Sequence, residues 1–507
     1  MEMSDCLEKS EQISQPKPRM SSPSLRVNGE RPGMMRGRAP LSWLMPTLCR
    51  WGLIPLLGAF ILPVPAFAAA QGEATRDPAL LSLEHLGESV ESVTLKNGLR
   101  VVMSPYHGAP TVAVSVTYDV GSSSEVLGRT GFAHLFEHMM FQGSQHAKKG
   151  EHFRLISDRG GSLNGTTNSD RTNYYEVLPA NELPLALWLE ADRMRSLTVT
   201  PDNFENQRAV VEEEHRMRVQ NQAYASGMIR LGELVFKGYE PYAHDTIGSM
   251  ADLDAARFDW VKDFHDQHYA PNHAVLTIAG DFDPQSTLRL VESYFSPAQR
   301  ADTPSLVFPP MPEMPNAGRN TVQDNNARTP GVIYGFMIPP TRTPDHYALE
   351  LAGMLLANGE SSRLYTNLVH DRAVAESVSA WTENHRGPDQ FSVMAVLGER
   401  GKLADVEAAI RGQLARLSKL PPTTQELDKA KRQLRASFVF GLETNLERSI
   451  QLGEFATNFG DAGLLPHELS HYLAVTPKQI QVAVQKWLSP KRASIVEIVP
   501  ASKGKHS

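Results

Sequence analysis

The sequence predicts mixed α and β structure in two halves of similar size, on three observations. Strand-like and helix-like segments follow one another in an order that the second half repeats. A stretch of little periodicity, residues 296–330, lies between them and is crowded by Pro304, Pro309, Pro310, Pro312, Pro315 and Pro330. It reads as a stiffened interdomain linker. The chain has 507 residues, 41% hydrophobic and 21% charged, which is globular composition with material for more than one core.

Residues before the halves are of another kind. Residues 1–33 are rich in Ser, Pro and charge and read as a disordered preamble. Over 34–70, Arg36, Arg38 and Arg50 precede an apolar run, Gly52 to Phe67, that ends in Ala68-Ala69-Ala70. A basic flank, a short apolar stretch and a small-residue site make a secretory signal peptide. A start at Met34 or Met35 gives it ordinary length. Pro55, Pro63 and Pro65 interrupt the run, and it is short for a span, so no stable membrane anchor is expected. Both cysteines, Cys6 and Cys49, precede the cut, and Pro46-Thr47-Leu48 before Cys49 is a poor lipobox. Export without disulfides fits a bacterial periplasm. The net charge of -7, with no basic tract, argues against nucleic acid as a partner.

The first half, 71–300, opens with Val93–Leu95 and Leu99–Met103 around Asn97-Gly98, a hairpin signal. Val112–Tyr118 is a third strand. Helical patterns follow at about 131–142, 149–158, 181–196 and 201–219, then a strand at Val275–Gly280 and a helix from Pro284 to Tyr294. The second half, 331–507, opens on a strand at Val332–Ile338. Helical patterns at Tyr347–Leu356 and Ser362–Val369 precede strands at Ser377–Ala380 and Phe391–Leu397. Helices at about 404–416 and 424–440 come next, the latter announced by the capping box Thr423-x-x-Glu426. A helix at 477–487 and a strand at Ala493–Val499 close the chain. The repeated order suggests duplication.

Chemistry concentrates in Gly131-Phe132-Ala133-His134-Leu135-Phe136-Glu137-His138-Met139-Met140. On a helix, His134 and His138 lie one turn apart on one face, where two imidazoles can hold one Zn²⁺. Glu137 shares that face and can reach a water on the metal. A hydrolytic site needs a third ligand and an open position. The candidates lie in Glu212-Glu213-Glu214, on a helix begun by Thr200 as N-cap and Pro201 at its first position. Val210, Val211 and Glu214 share a face, which favours Glu214 without excluding the other two. A chance H-x-x-E-H among 17 His is on the order of a few per cent. The bland alternatives are a satisfied core histidine or a structural zinc site. Structural sites usually close with four ligands, often Cys.

The inverted order H-x-x-E-H is that of the inverzincins. From Val93 to Pro500 the chain resembles the pitrilysin/insulysin family, including its mitochondrial processing peptidase branch. Gly128-x-x-Gly131-x-x-His134 carries the resemblance, as do Gly160-Gly161-Ser162-Leu163-Asn164-Gly165-Thr166-Thr167 and Tyr269-Ala270-Pro271-Asn272-His273 with Ile278-Ala279-Gly280-Asp281. The resemblance implies one zinc per chain on His134, His138 and Glu214, which selects among the three glutamates. It implies Glu137 as general base in a peptidase acting on peptides or unfolded polypeptide. Substrate is expected as an added strand at a sheet edge, with Asn164 and Gly165 at its start; a plain turn is the competing reading for Asn164. Many relatives have a Glu seven residues before the third ligand, where Gln207 stands here, altering the outer shell and not the ligands.

The resemblance also implies an α+β fold of two homologous halves, each a mainly antiparallel sheet covered by helices, enclosing a chamber. In the second half, relatives carry an Arg and, seven residues on, a Tyr that hold substrate. Those places here are Val369 and Glu376; Arg363 and Tyr365 belong to the helix motif instead. The chain is therefore expected to be the zinc-bearing half of a heterodimer whose second peptidase-like subunit supplies Arg and Tyr. The rival reading is a non-catalytic interaction subunit of a peptidase-like complex.

Overall fold

The computed structural model describes residues 83, 85–87, 89–304, 306–313 and 317–501, all within one compact unit. The expected preamble and signal peptide lie outside them. The first half runs β1 (Glu91–Thr94), β2 (Arg100–Pro105), β3 (Thr111–Tyr118), α1 (Phe132–Met139), α2 (Glu151–Ser157), β4 (Ser162–Thr167), β5 (Thr172–Pro179) and α3 (Leu183–Ser196). It continues through α4 (Pro201–His215), a π-helical turn at Arg216–Gln220, α5 (Ala225–Val235), α6 (Met250–Ala255), α7 (Phe258–His268), β6 (Ala274–Gly280) and α8 (Pro284–Phe295). The second half runs β7 (Arg319–Asp324), β8 (Gly331–Ile338), α9 (Pro344–Ala357), a π-helical segment at Tyr365–Asp371, β9 (Ala375–Thr382) and β10 (Asp389–Leu397). Four helices follow, α10 (Leu403–Lys419), α11 (Thr424–Phe440), α12 (Asn445–Phe459) and α13 (Leu465–Ala474), then α14 (Pro477–Trp487) and β11 (Ser494–Pro500). No helix among the described residues is long and apolar enough to cross a membrane.

Among the described residues the strands form two sheets, ordered β1-β2-β6-β3-β5-β4 and β7-β11-β8-β10-β9. Apart from β1 the two orders correspond strand for strand. In each, the first corresponding pair is parallel (β2 with β6, β7 with β11) and the others are antiparallel. The fold is thus α+β in two like halves. The Asn97-Gly98 hairpin forms as its sequence requires: Gly98 sits at φ 91, and Leu95 N donates to Leu99 O at 2.8 Å. Segment Ser362–Val369 forms a wider π-helical coil over much of its length, and β7 pairs within the Pro-rich stretch.

How the sheets are covered follows from which residues alternate along each strand. On β3, Val112, Val114, Val116 and Tyr118 face a core shared with α1, α3 and α7. The other face offers Ser115 and Thr117, with Thr277 beside them on β6. Small side chains there let a helix come close, and the helix that does so is α12, from the second half. A Cβ at Gly453 would lie 2.8 Å from Thr117 Oγ1 and 3.0 Å from Thr277 Oγ1, so glycine is required at that crossing. The exchange is mutual. Helix α5, from the first half, lies across β8 and β11, where Leu231, Val235 and Phe236 are buried with Ile333, Met337, Val496 and Ile498. Each sheet is therefore sealed on one face by the other half.

A charged cluster is buried behind α1. His152 on α2 lies 3.1 Å from Glu176 on β5, and Glu190 and Arg193 on α3 pair through Arg193 Nε at 2.8 Å. Arg193 also lies over the Tyr174 ring at 4.5 Å. Burial pushes the Glu176 carboxyl up to about 8 and His152 down to about 3. A protonated Glu176 therefore donates to a neutral imidazole. Its acid is favoured in the fold, so the stability it contributes is present below about pH 4.5 and lost as pH rises through about 8. Glu176→Gln keeps the donor and cannot ionise. It should be near neutral at about pH 5 and stabilising relative to wild type by on the order of 2 kcal/mol at about pH 8. Urea unfolding at the two pH values checks this, and a pH-independent difference would contradict it.

Candidate metal centre

Helix α1 is buried along its whole length. Phe132, Leu135, Phe136 and Met139 turn into the first-half core. At its N-terminus Gly131 has no side chain to cap with; the Glu125 carboxylate accepts from Gly131 N and Ala133 N, each at 2.8 Å. Burial still pushes Glu125 up to about 8, against the pull of those backbone bonds. Helix α4 begins as its sequence dictates, with Asn203 N donating to Thr200 Oγ1 at 3.2 Å and Pro201 at the first position. The burial pattern of α4 turns Glu214 inward, whereas Glu213 is exposed and pairs with Arg216.

The two helices bring three side chains to one point. His134 Nε2 and His138 Nε2 each lie 3.2 Å from the same oxygen, Oε2 of Glu214. The two imidazole centroids are 4.9 Å apart at 74°. In a tetrahedral zinc site with bonds of about 2.0–2.1 Å, ligand atoms stand about 3.3–3.4 Å from one another. The donor set and its spacing therefore fit a zinc ion. The electrostatics fit as well. Burial alone would lower His134, but Glu137 and Glu214 raise it to about 10. Burial alone would raise Glu214, but the two imidazoles hold it far below the carboxylate range. Two buried carboxylates thus create a place for positive charge.

Glu137 stands beside this point, with Oε2 3.6 Å from His134 Nδ1. Thr167, at the end of β4, donates its hydroxyl to Glu137 Oε2 at 2.6 Å. Burial would raise Glu137, and the imidazoles with Thr167 hold it below its ordinary value. Strand β4 is the last strand of its sheet. Gly165 lies on it against the glutamate, where a Cβ would stand 3.0 Å from Glu137 Cγ and 3.2 Å from Tyr174 Cδ1. Asn164 is paired with Tyr175 in the sheet and accepts from Gly165 N at 2.9 Å. Gln207 is buried two turns before Glu214 and donates to Asn206 at 2.9 Å. Val369 packs against the second-half core and Glu376 is exposed on β9, while Arg363 is held by Glu426 through two bonds at 2.9 and 3.0 Å.

Three residues of the site escaped the sequence reading. Glu125 and Thr167 reach α1 through loop and sheet geometry that no local pattern announces. Arg218 was findable. Its Nε lies 2.8 Å from Glu214 Oε1, and the two are spaced i, i+4. One carboxylate oxygen of Glu214 thus faces the imidazoles and the other faces a guanidinium.

Residues 100–232 match the family model described as insulinase (peptidase family M16), and residues 257–434 match the one described as peptidase M16 inactive domain. The chain is 31% identical over 360 residues to zinc protease PqqE of Helicobacter pylori, covering 70% of this chain and 80% of that one. It is 24% identical over 423 residues to the mitochondrial-processing peptidase subunit beta of Lentinula edodes, covering 80% and 89%. Among solved structures, a protease from Helicobacter pylori superposes with a TM-score of 0.76 at 27% identity, covering 81% of this chain and 99% of that one. The periplasmic protease PqqL of Escherichia coli shares the fold, with a TM-score of 0.66 at 18% identity, covering 81% of this chain and 48% of that one.

Proposed function

Since the chain belongs to the M16, insulinase-type family of peptidases, we propose that it is a zinc-dependent endopeptidase of peptides or unfolded polypeptide segments. In this reading His134, His138 and Glu214 hold one zinc ion and Glu137 is the general base. The observation that carries it is the convergence of two imidazoles on one Glu214 oxygen at 3.2 Å, with a second carboxylate alongside. A zinc ion held by His134, His138 and Glu214 would supply Lewis acidity for the hydrolysis. Glu137 accepts the proton of the attacking water as its oxygen bonds to the carbonyl carbon. It then delivers the proton to the amine as the C–N bond breaks. Thr167 fixes the Glu137 carboxylate and favours its charged form, as the base requires. The unpaired side of β4 takes the substrate as an added strand, with Asn164 and Gly165 at its start. Gly165 permits approach to Glu137 because it has no Cβ.

The same reading includes a second peptidase-like subunit that supplies the substrate-holding Arg and Tyr. Val369 and Glu376 at those places support it, as does the fold's match to 48% of the Escherichia coli protease. It also places the chain in the periplasm, on the strength of the apolar run that follows Arg36, Arg38 and Arg50. The test is zinc analysis of the purified chain with cleavage of an unstructured fluorogenic peptide. Expected are one zinc per chain and slow cleavage, the second subunit being absent, that a chelator abolishes and added zinc restores. A chain without zinc, or cleavage indifferent to the chelator, overturns the reading. Brisk cleavage by the purified chain alone removes only the second subunit.

A further inference from the structure

Residues 216–248 leave the first half at one edge of the metal centre and return to it at the other. The chain passes from Glu214 through the π-helical turn Arg216–Gln220 and enters α5 at Tyr224. Tyr224 is buried with φ 69, a conformation that costs a tyrosine of order 1 kcal/mol and persists only where neighbours impose it. The neighbours belong to the second half. Asp324, buried at the end of β7, accepts from Tyr224 N at 2.7 Å with one oxygen. With the other it accepts from Asn326 N at 2.7 Å and Ala327 N at 2.9 Å. Asn326 Nδ2 donates to Gln220 O at 2.7 Å, and Tyr224 Oη donates to Thr329 O at 2.9 Å.

The far end of this strap is held by both halves. Tyr242 donates to Asp170 of the first half at 2.7 Å, and from the second half accepts from Gly387 N at 2.9 Å and stacks on His385 at 4.1 Å. The chain then returns to the first turn of α1. Ser249 N donates to Thr130 Oγ1 at 3.1 Å, and Asp252 accepts from Thr130 N at 3.1 Å. A Cβ at Gly131 would lie 2.7 Å from Ile247 O, so the returning backbone lies directly on the start of the helix that carries His134 and His138. One end of the strap is continuous with the third ligand, and the other touches the helix of the first two.

We propose that Asp324 is a positioning residue for the metal centre. By fixing the strap where it enters the second half, it sets Glu214 against His134 and His138, so that the half without ligands governs metal affinity. The inference rests on the three-ligand site assigned above. Outer-shell groups that orient ligands typically change metal affinity by about 10–100-fold when removed. The experiment is competition of the full chain with a chromophoric chelator for zinc, together with hydrogen exchange of the backbone at residues 214–220. Asp324→Asn should weaken zinc binding about tenfold or more and speed exchange there. Asn326→Ala, on an exposed side chain that folding tolerates, should act in the same direction and less. Leu417→Ala, buried in α10 away from the strap, should lower the melting temperature and leave zinc affinity as it is. Zinc binding unchanged in both strap variants overturns the proposal. So does an equal loss in Leu417→Ala, since the effect would then be general instability. If Asp324→Asn does not fold, Asn326→Ala decides alone. A wild-type chain that binds no zinc instead sinks the metal site on which the inference stands.

Discussion

Exchange of Glu137 for Gln should lower peptide turnover about 10²–10⁴-fold while the chain keeps its zinc. The amide retains the shape of the carboxylate and can accept from Thr167 Oγ1, so α1 and β4 are left in place. It has no basic oxygen to take a proton from water. The residues assigned to the metal are untouched, so the chain should still take up one zinc ion, with affinity weakened only by the loss of one of the two nearby carboxylate charges. His134→Ala gives the contrasting result. It removes one of the two nitrogens facing Glu214 and should lose metal and activity together. Zinc analysis alongside single-turnover cleavage separates the two. A Glu137→Gln chain with near wild-type turnover would show that another group is the base, and one devoid of zinc would show that Glu137 belongs to the ligand set.

The largest effect on stability should come from Glu190→Ala, at about 3–5 kcal/mol. Glu190 and Arg193 are both almost wholly buried on α3, and the guanidinium has Tyr174 and Phe141 as its other neighbours. Removing Glu190 strands a cation that water cannot reach. Glu176 would have to ionise to compensate, giving up the protonated state that its surroundings favour. Replacing both members, as in Glu190→Leu with Arg193→Met, should cost less than Glu190→Ala, because no unpaired charge remains. Urea unfolding measures the three chains. A double variant as unstable as the single one would mean that the cluster stabilises by its net attraction and not by avoiding an orphaned charge.

The parts of this fold legible in the sequence are those whose signal is local. Thr200-Pro201 starts α4, Asn97-Gly98 turns the first hairpin, and Thr423 with Glu426 forms both bonds of a capping box before α11. Helix α1 is legible because His134, Glu137 and His138 share its face within one turn. What escaped is what depends on distant partners. Strand β4 reads Ser-Leu-Asn-Gly-Thr-Thr, with no apolar alternation, because it lies at the sheet edge against α1 instead of in the core. Strand β7 is masked by flanking prolines and a polar sequence, Arg-Asn-Thr-Val-Gln-Asp. The periodic pattern of 201–219 runs past α4, which gives way after His215 to a wider turn. Nothing in α5 or α12 announces that its apolar face belongs to the opposite sheet, since amphipathicity states that a partner exists without saying which. The choice of Glu214 over Glu212 and Glu213 needed the family resemblance. In the fold Glu214 is buried, with Oε2 3.2 Å from both imidazoles, whereas Glu213 is exposed.

The interleaving of helices bears on how the polypeptide reaches its native state. Strand β11, the last element among the described residues, inserts between β7 and β8, and α12 closes over a sheet whose strands were made more than 160 residues earlier. Contacts of such sequence separation impose a loop-closure entropy that is repaid only late, and they slow folding. A nascent or truncated chain ending anywhere before α12 leaves the Ser115–Thr117 face bare and gives the greasy side of α5 only β8, without β11, to rest on. Closure of the two halves is consequently interdependent, and the segment running from Glu214 into α5 gains its full packing only once β11 has joined β8.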